Sequence, residues 1–168
     1  MNKSGREQRR PENAELRRSI DKLLEDGASF MENHLQSLDI SDYRYNIEEA
    51  VIELDLDETV IGQLVEDYII QILKSKITFY KYIQELKQAE LHNIDLDYTK
   101  IRDLAHKNLG VVRNLRIKDA RAILEVIMKE DDLDHLRLCV KALEISAVKL
   151  QPLCAYETLN LIQIKNML

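Results

Sequence analysis

Apolar residues recur at helical spacing through most of the chain, and the longest such pattern lies between residues 57 and 91. Positions three, four or seven apart lie on one face of an α-helix, so a repeat at these spacings marks the side that packs on a core. We therefore predict one long helix over about residues 57–91. Its expected apolar face consists of Val60, Leu64, Tyr68, Ile72, Phe79, Ile83 and Leu86.

The same periodicity predicts shorter helices on both sides of the long one. Pro11 suits the start of a helix, and the predicted segments cover residues 12–38, 46–54, 98–115, 119–129 and 133–150. Pro152 is expected to stop the last of these, and residues 155–168 show one more apolar face. Residues 39–45 are expected to be a connection. With only 4 Gly and 2 Pro in 168 residues, the chain has few of the turn residues that sheets require.

Four amphipathic helices in succession with short connections are typical of an antiparallel four-helix bundle. We therefore predict an all-α fold with this bundle at its centre and extra N-terminal and C-terminal helices. The expected organisation is a disordered tail over 1–11, an N-terminal helical extension over 12–45, the helical bundle over 46–150 and a C-terminal extension over 151–168. The terminal helices are expected to pack on the bundle or to form a homodimer contact, because their apolar stripes are too large to remain exposed to solvent.

The formal net charge of −6 argues against nucleic acid and membrane surfaces as partners, because both are anionic. No apolar run is long enough to span a bilayer, and the start of the chain lacks a signal-peptide pattern. Cys139 and Cys154 lack metal-ligand spacing and are interpreted as small buried apolar residues in a reducing compartment. These features predict a cytoplasmic protein.

Metal-dependent or hydrolytic chemistry finds no support in the sequence. No metal site and no cofactor are predicted, because His34, His92 and His135 have no histidine partner four residues away and are expected on the surface. A glycine-rich phosphate loop, a serine nucleophile motif and a pair of catalytic carboxylates are also missing from the pattern.

The remaining histidine, His106, lies on the side of its helix opposite the apolar residues. At 100° per residue the apolar arc spans about 120° and holds Ile101, Leu104, Ala105, Asn108, Val111, Val112 and Leu115. The arc centred on His106 holds Arg102, Asp103, Leu109, Gly110 and Arg113. His106 is therefore expected to face solvent, and it is the leading candidate for a functional residue.

Two features beside His106 favour phosphoryl chemistry. Gly110 lies one turn further along the exposed face, where a glycine lowers helix stability unless a partner must approach closely. Arg102 and Arg113 flank the imidazole, and guanidinium groups bind phosphate oxygens in a bidentate fashion.

This helix resembles the signature of bacterial histidine phosphotransfer (HPt) domains. That signature has an alanine, the phosphorylated histidine, a lysine three residues on, a glycine four residues on, and then an Asn-Leu pair. His106, Gly110 and the pair Asn114-Leu115 match in register, within the run LAHKNLGVVRNLRI at 104–117. The order and lengths of the helices over about residues 46–150 also agree with the family.

The resemblance implies an HPt-like bundle in a two-component phosphorelay. His106 would take a phosphoryl group from a response-regulator receiver domain or a histidine kinase and pass it on. The receiver would supply the reacting aspartate and the Mg²⁺, so the chain would be a phosphoryl carrier rather than a true enzyme, with phosphohistidine as its intermediate.

The chain departs from the signature at Leu109, which occupies the lysine position. We expect Leu109 and Gly110 to contribute to docking of the receiver, and a replacement cation to come from Arg113 first, from Arg102 second, or from Lys107. The alternative is a non-catalytic helical adaptor that docks a receiver domain or another signalling protein without phosphotransfer. Asn108 is expected at a core position, where its amide needs a partner.

Overall fold

The computed structural model describes residues 9–167, which form helices and no strand, so the all-α prediction is confirmed for this part of the chain. Seven α-helices and one 3-10 turn follow one another along it. They are α1 (Arg9–His34), the turn Gln36–Leu38, α2 (Ile47–Leu54), α3 (Glu58–Leu91), α4 (Thr99–Leu115), α5 (Lys118–Ile127), α6 (Leu133–Leu150) and α7 (Pro152–Met167).

The structure corrects one predicted boundary near the N-terminus and confirms another near the C-terminus. Residues 1–8 of the expected disordered tail lie outside the described residues, but residues 9–11 belong to α1. Pro11 falls within the first turn of α1, where a missing N–H breaks no intrahelical bond. Pro152 stops α6 as predicted, because α6 ends at Leu150. Pro152 is also the first residue of α7, a position that its fixed backbone angle favours, so α7 begins three residues earlier than predicted.

Local side chains fix the starts and ends of the helices. The Asn46 side chain accepts a hydrogen bond from the Glu49 backbone N–H at the start of α2 (3.2 Å). Asp132 caps α6 in the same way, accepting from the backbone N–H groups of Asp134 and His135 at 3.0 and 3.1 Å. Arg116 ends α4 in a left-handed conformation with φ of 64°.

The centre of the molecule is α6, which packs against α1, α3, α5 and α7. All seven residues from Ala142 to Val148 are buried, and since they cover two turns, this part of α6 is enclosed on every side. Its one buried acid, Glu144, pairs with Lys76 of α3 at 2.9 Å, which compensates the charge. Helices α3 and α5 each also pack against α4, so α3, α4, α5 and α6 form a closed ring of neighbours.

The terminal helices pack on this same core. Met31 of α1, Leu35 directly after it and Ala155 of α7 are buried in one continuous apolar cluster with the other helices. Gly27 allows the close approach of α1 to α6, because a Cβ atom at this position would lie 2.8 Å from Cγ2 of Ile145. The N-terminal and C-terminal extensions therefore share their core with the central helices.

The predicted apolar face of α3 is partly wrong. Val60 and Leu64 are 44% and 39% exposed, although Tyr68, Ile72, Phe79, Ile83 and Leu86 are buried as predicted. The buried arc near the start of α3 is formed by Ile61, Val65, Ile69 and Leu73 instead. Both α6 and α7 cover α3, which rotates its buried side away from the arc that spacing alone selects.

The connection before α2 is fastened to the corner between α4 and α5. The Tyr45 hydroxyl donates to the carbonyl oxygen of Leu115 (2.7 Å), and the Tyr43 hydroxyl accepts from the backbone N–H of Lys118 (3.1 Å). Lys149 of α6 donates to the Tyr43 carbonyl oxygen at 2.9 Å and lies 3.6 Å from the buried carboxylate of Asp119. These contacts hold the C-terminal end of α4 in place.

Candidate functional site

Helix α4 presents His106 to solvent, as predicted. The opposite side of the helix is buried through Ile101, Ala105, Asn108, Leu109, Val112 and Leu115. Among residues 14–165, whose side chains the structure describes, the imidazole has no hydrogen-bond or ion-pair partner. The ring is therefore accessible and uncommitted on a helix whose other side is anchored in the core.

Asn108 lies in the core, as predicted, and both ends of its amide are satisfied. Its Nδ2 donates to the carbonyl oxygen of Leu104 at 2.9 Å, and its Oδ1 accepts from Nε2 of Gln71 on α3 at 3.4 Å. The pair joins α4 to α3 at a fixed register. Gln71 lies on a different helix, so sequence spacing gave no signal of this partner.

The prediction that Leu109 lies on the exposed face is wrong, because its side chain is 2% exposed. Helix α5 packs against α4 and widens the covered arc beyond the side that the helical wheel assigns to the core. The position that the sequence resemblance aligns with the lysine of HPt domains therefore points into the core. A lysine at this position would place its ammonium group in the core without a partner, and burial of an unpaired charge lowers the stability of the fold.

Gly110 lies on the exposed side of α4 next to His106, as predicted. An added Cβ atom at Gly110 would meet no atom within 4 Å. Packing inside the chain therefore does not require a glycine at this position. A glycine here leaves the backbone of α4 open to close approach from outside.

Two of the three cations expected near His106 contact other residues, and the third has no ion-pair partner among the described residues. Nη2 of Arg113 lies 3.3 Å from Oε1 of Glu125 on α5, and the same oxygen accepts from Nε of Arg121 at 3.0 Å. This environment holds the pKa of the Glu125 carboxyl below its usual value, with the Arg121 hydrogen bond as the largest cause. Glu125 was not predicted as a site residue, because it lies on another helix.

Arg102 folds back toward the start of α4, away from His106. Its guanidinium carbon lies 4.9 Å from the centre of the Tyr98 ring, and its Nε is buried without a hydrogen-bond partner. Lys107 is exposed and forms no ion pair with any described residue. The structure therefore brings none of the three predicted cations into a pair with His106.

The other histidines lie apart from this face. His135 Nδ1 is 2.8 Å from Oε2 of Glu130 and 4.0 Å from Sγ of Cys139. Burial raises the pKa of the Cys139 thiol to about 12, so the thiol stays protonated and unreactive. Over residues 9–167, no group of three His, Cys, Asp or Glu side chains is arranged to hold a metal ion.

Comparison with protein-family models, with curated proteins and with solved structures finds no match to this chain. Among the described helices, none combines the length and the apolar character needed to cross a membrane.

Proposed function

We propose that the chain is a histidine-containing phosphotransfer protein that relays a phosphoryl group to or from a response-regulator receiver domain through His106. The observation that carries the proposal is the accessible imidazole on α4, beside a glycine where no contact among the described residues requires one. On this proposal the protein acts in the cytoplasm, and its partners are a receiver domain, a histidine kinase or both.

The proposed fold is an HPt-like antiparallel four-helix bundle made by α3, α4, α5 and α6. The closed ring of contacts among these four helices supports this assignment. Helices α1 and α7 are then additions to the bundle that cover α6 and α3. They leave the outer side of α4 uncovered, and this is the side that a receiver would approach.

In the proposed reaction a neutral ring nitrogen of His106 attacks the phosphorus of an aspartyl phosphate on the receiver. The N–P bond forms as the acyl P–O bond breaks, and the aspartate leaves as a carboxylate. The reverse reaction returns the group to a second receiver. Because the imidazole has no partner within the described chain, no hydrogen bond must be broken before attack.

A phosphoryl group on His106 would need a nearby cation, and Arg113 is the best placed. Arg113 lies seven residues after His106, which is close to the same angular position on α4, about 10 Å further along the axis. Its pair with Glu125 is exposed, and such pairs are worth roughly 0–1 kcal/mol. Because Arg121 also binds Glu125, the carboxylate keeps a cationic partner when Arg113 moves away from it.

A second candidate function is a non-catalytic adaptor that docks a receiver domain or another signalling protein through the same face of α4. The specific observation in its favour is that Arg113 and Arg102 are engaged by Glu125 and Tyr98. In addition, Leu109 replaces the lysine and is buried. An adaptor requires an accessible surface but no cation beside the imidazole.

Phosphotransfer from purified receivers separates the two functions. Receivers charged with acetyl phosphate should transfer an acid-labile, base-stable phosphoryl group to the parent, and His106→Gln should abolish the transfer. Arg113→Ala should slow it by about one to two powers of ten, which corresponds to about 1.4–2.8 kcal/mol. Lys129→Ala, an exposed cation in the turn after α5, is a matched control that should leave the rate unchanged. Receiver binding by the parent without transfer, retained in His106→Gln, would contradict the relay and support the adaptor.

A further inference from the structure

The strongest unassigned surface of the molecule lies where α2 meets the start of α3. The chain has no Lys or Arg between Arg44 and Lys74, and this stretch carries eight acidic residues: Glu48, Glu49, Glu53, Asp55, Asp57, Glu58, Glu66 and Asp67. Among the described residues only two of them, Glu49 and Glu53, pair with a Lys or Arg side chain. The stretch therefore has an excess of negative charge that the described residues do not compensate.

Large apolar side chains are exposed within this same stretch. Leu56, Val60 and Leu64 are 38%, 44% and 39% exposed, and they follow one another at intervals of four residues. Val60 and Leu64 lie on one side of α3 within about 40° of each other. Asp57 precedes them and Asp67 follows on nearly the same side. We call these five residues the α3 patch.

The helix dipole explains only part of the acidity. An acid in the first turn, such as Glu58, stabilises a helix by interaction with its N-terminus. Asp67 lies in the third turn, where this effect has faded, and its contact within the chain is a neutral hydrogen bond from Gln63 at 3.0 Å. Asp57 makes no capping hydrogen bond with its side chain.

From these features we propose that the α3 patch binds a cationic amphipathic helix of another protein. A helix with leucine-type residues at intervals of four and flanking Lys or Arg side chains matches Val60 and Leu64 on one side of α3, Leu56 in the connection just before it, and the acids at the two ends of the patch. Apolar anchors provide affinity in such helix-on-helix contacts, and opposite charge fixes orientation and speeds association. This interaction does not involve His106 and does not depend on phosphotransfer.

Binding of a labelled synthetic peptide tests the proposal. The probe is an 18-residue amphipathic helix of Leu, Ala and Lys, with a scrambled peptide of the same composition as its control. The full chain should bind the helical probe at least about ten times more tightly than the scrambled one, with affinity that falls as salt rises because charges at a surface are screened. The double variant Val60→Ser/Leu64→Ser should weaken binding about tenfold or more. Asp57→Asn/Asp67→Asn should weaken it and flatten the salt dependence.

Leu161→Ser on α7 is the matched control, because Leu161 is more exposed than either patch residue, at 60%, and lies outside the acidic stretch. This variant should bind the probe as the parent does. Equal binding of the scrambled peptide, or an equal loss in Leu161→Ser, would overturn the proposal. A dimer of the chain in sedimentation equilibrium that Val60→Ser/Leu64→Ser dissociates would overturn it as well, because a second copy would then be the occupant.

Discussion

At the scale of single residues, α4 shows what a helical wheel can and cannot predict. The outward direction of His106 and the inward direction of Asn108 followed from 100° steps around the helix. The burial of Leu109 did not follow, because the wheel gives an angle but not the width of the arc that neighbours cover. With α5 on one side, the covered arc reaches Leu109.

This burial determines the effect expected from a lysine at position 109, the residue type that the proposed relay family carries there. A Leu109→Lys substitution should lower the free energy of unfolding by about 2–4 kcal/mol, because it removes buried apolar surface and places an ammonium group where it has no partner. Urea denaturation followed by circular dichroism measures the change. Leu153→Lys is the control, since Leu153 is 49% exposed, and it should stay within about 0.5 kcal/mol of the parent. Equal stability of Leu109→Lys and the parent would mean that residue 109 is accessible.

At the scale of helices, the sequence predicted most of the elements and few of their contacts. The bounds of α3, α4 and α6 lie within about two residues of the predicted ones, because caps and breakers act locally. The exposed side of α3 at Val60 and Leu64 was not predictable, since it depends on where α6 and α7 lie. The close contact between Gly27 and Ile145 also joins helices that are far apart in the chain.

The two helix glycines Gly27 and Gly110 should respond oppositely to the same substitution. Gly110→Ala should raise the free energy of unfolding by about 0.5–1 kcal/mol, because alanine favours the helix and the site is open. Gly27→Ala should lower it by about 1 kcal/mol or more, because the new methyl group overlaps the stiff β-branched side chain of Ile145. Thermal or urea unfolding of both variants measures the pair. A shift of the same sign in both would show that α1 does not approach α6 as closely as described.

At the scale of the whole molecule, the arrangement around α6 went beyond what the sequence indicated. Periodicity predicted a bundle with extra helices outside it, and the terminal helices proved to share its core. The seven buried residues from Ala142 to Val148 include Glu144 and Ser146, so the run did not look continuously apolar. Glu144 can be buried because Lys76 of α3 neutralises its charge. Lys76 lies on another helix, so the burial of Glu144 could be recognised only from the contacts between helices.

A carboxyl group in the turn between α5 and α6, that of Glu130, should make the stability of the fold depend on pH. The pKa of Glu130 lies below the usual value for a glutamate, because the carboxylate accepts hydrogen bonds first from the Asp132 backbone N–H and further from His135. A carboxyl with a lowered pKa contributes stability above its unfolded pKa, and the contribution is lost as the pH falls through the folded pKa. Glu130→Gln should therefore reduce stability at pH 6 but change it less at pH 3. Urea unfolding at both pH values measures this, and an equal loss at both would contradict the role of the charge.

Docking at the outer side of α4 is the claim shared by the relay and the adaptor, and NMR tests it most directly. The measurement is a titration of the isotope-labelled chain with receiver domains, compared with Gly110→Gln. We predict that the backbone shifts of residues 102–114 on the exposed side of α4 change most. We further predict that Gly110→Gln, still folded, loses binding because its side chain occupies the open space. Shift changes concentrated elsewhere, with full binding by Gly110→Gln, would contradict the account.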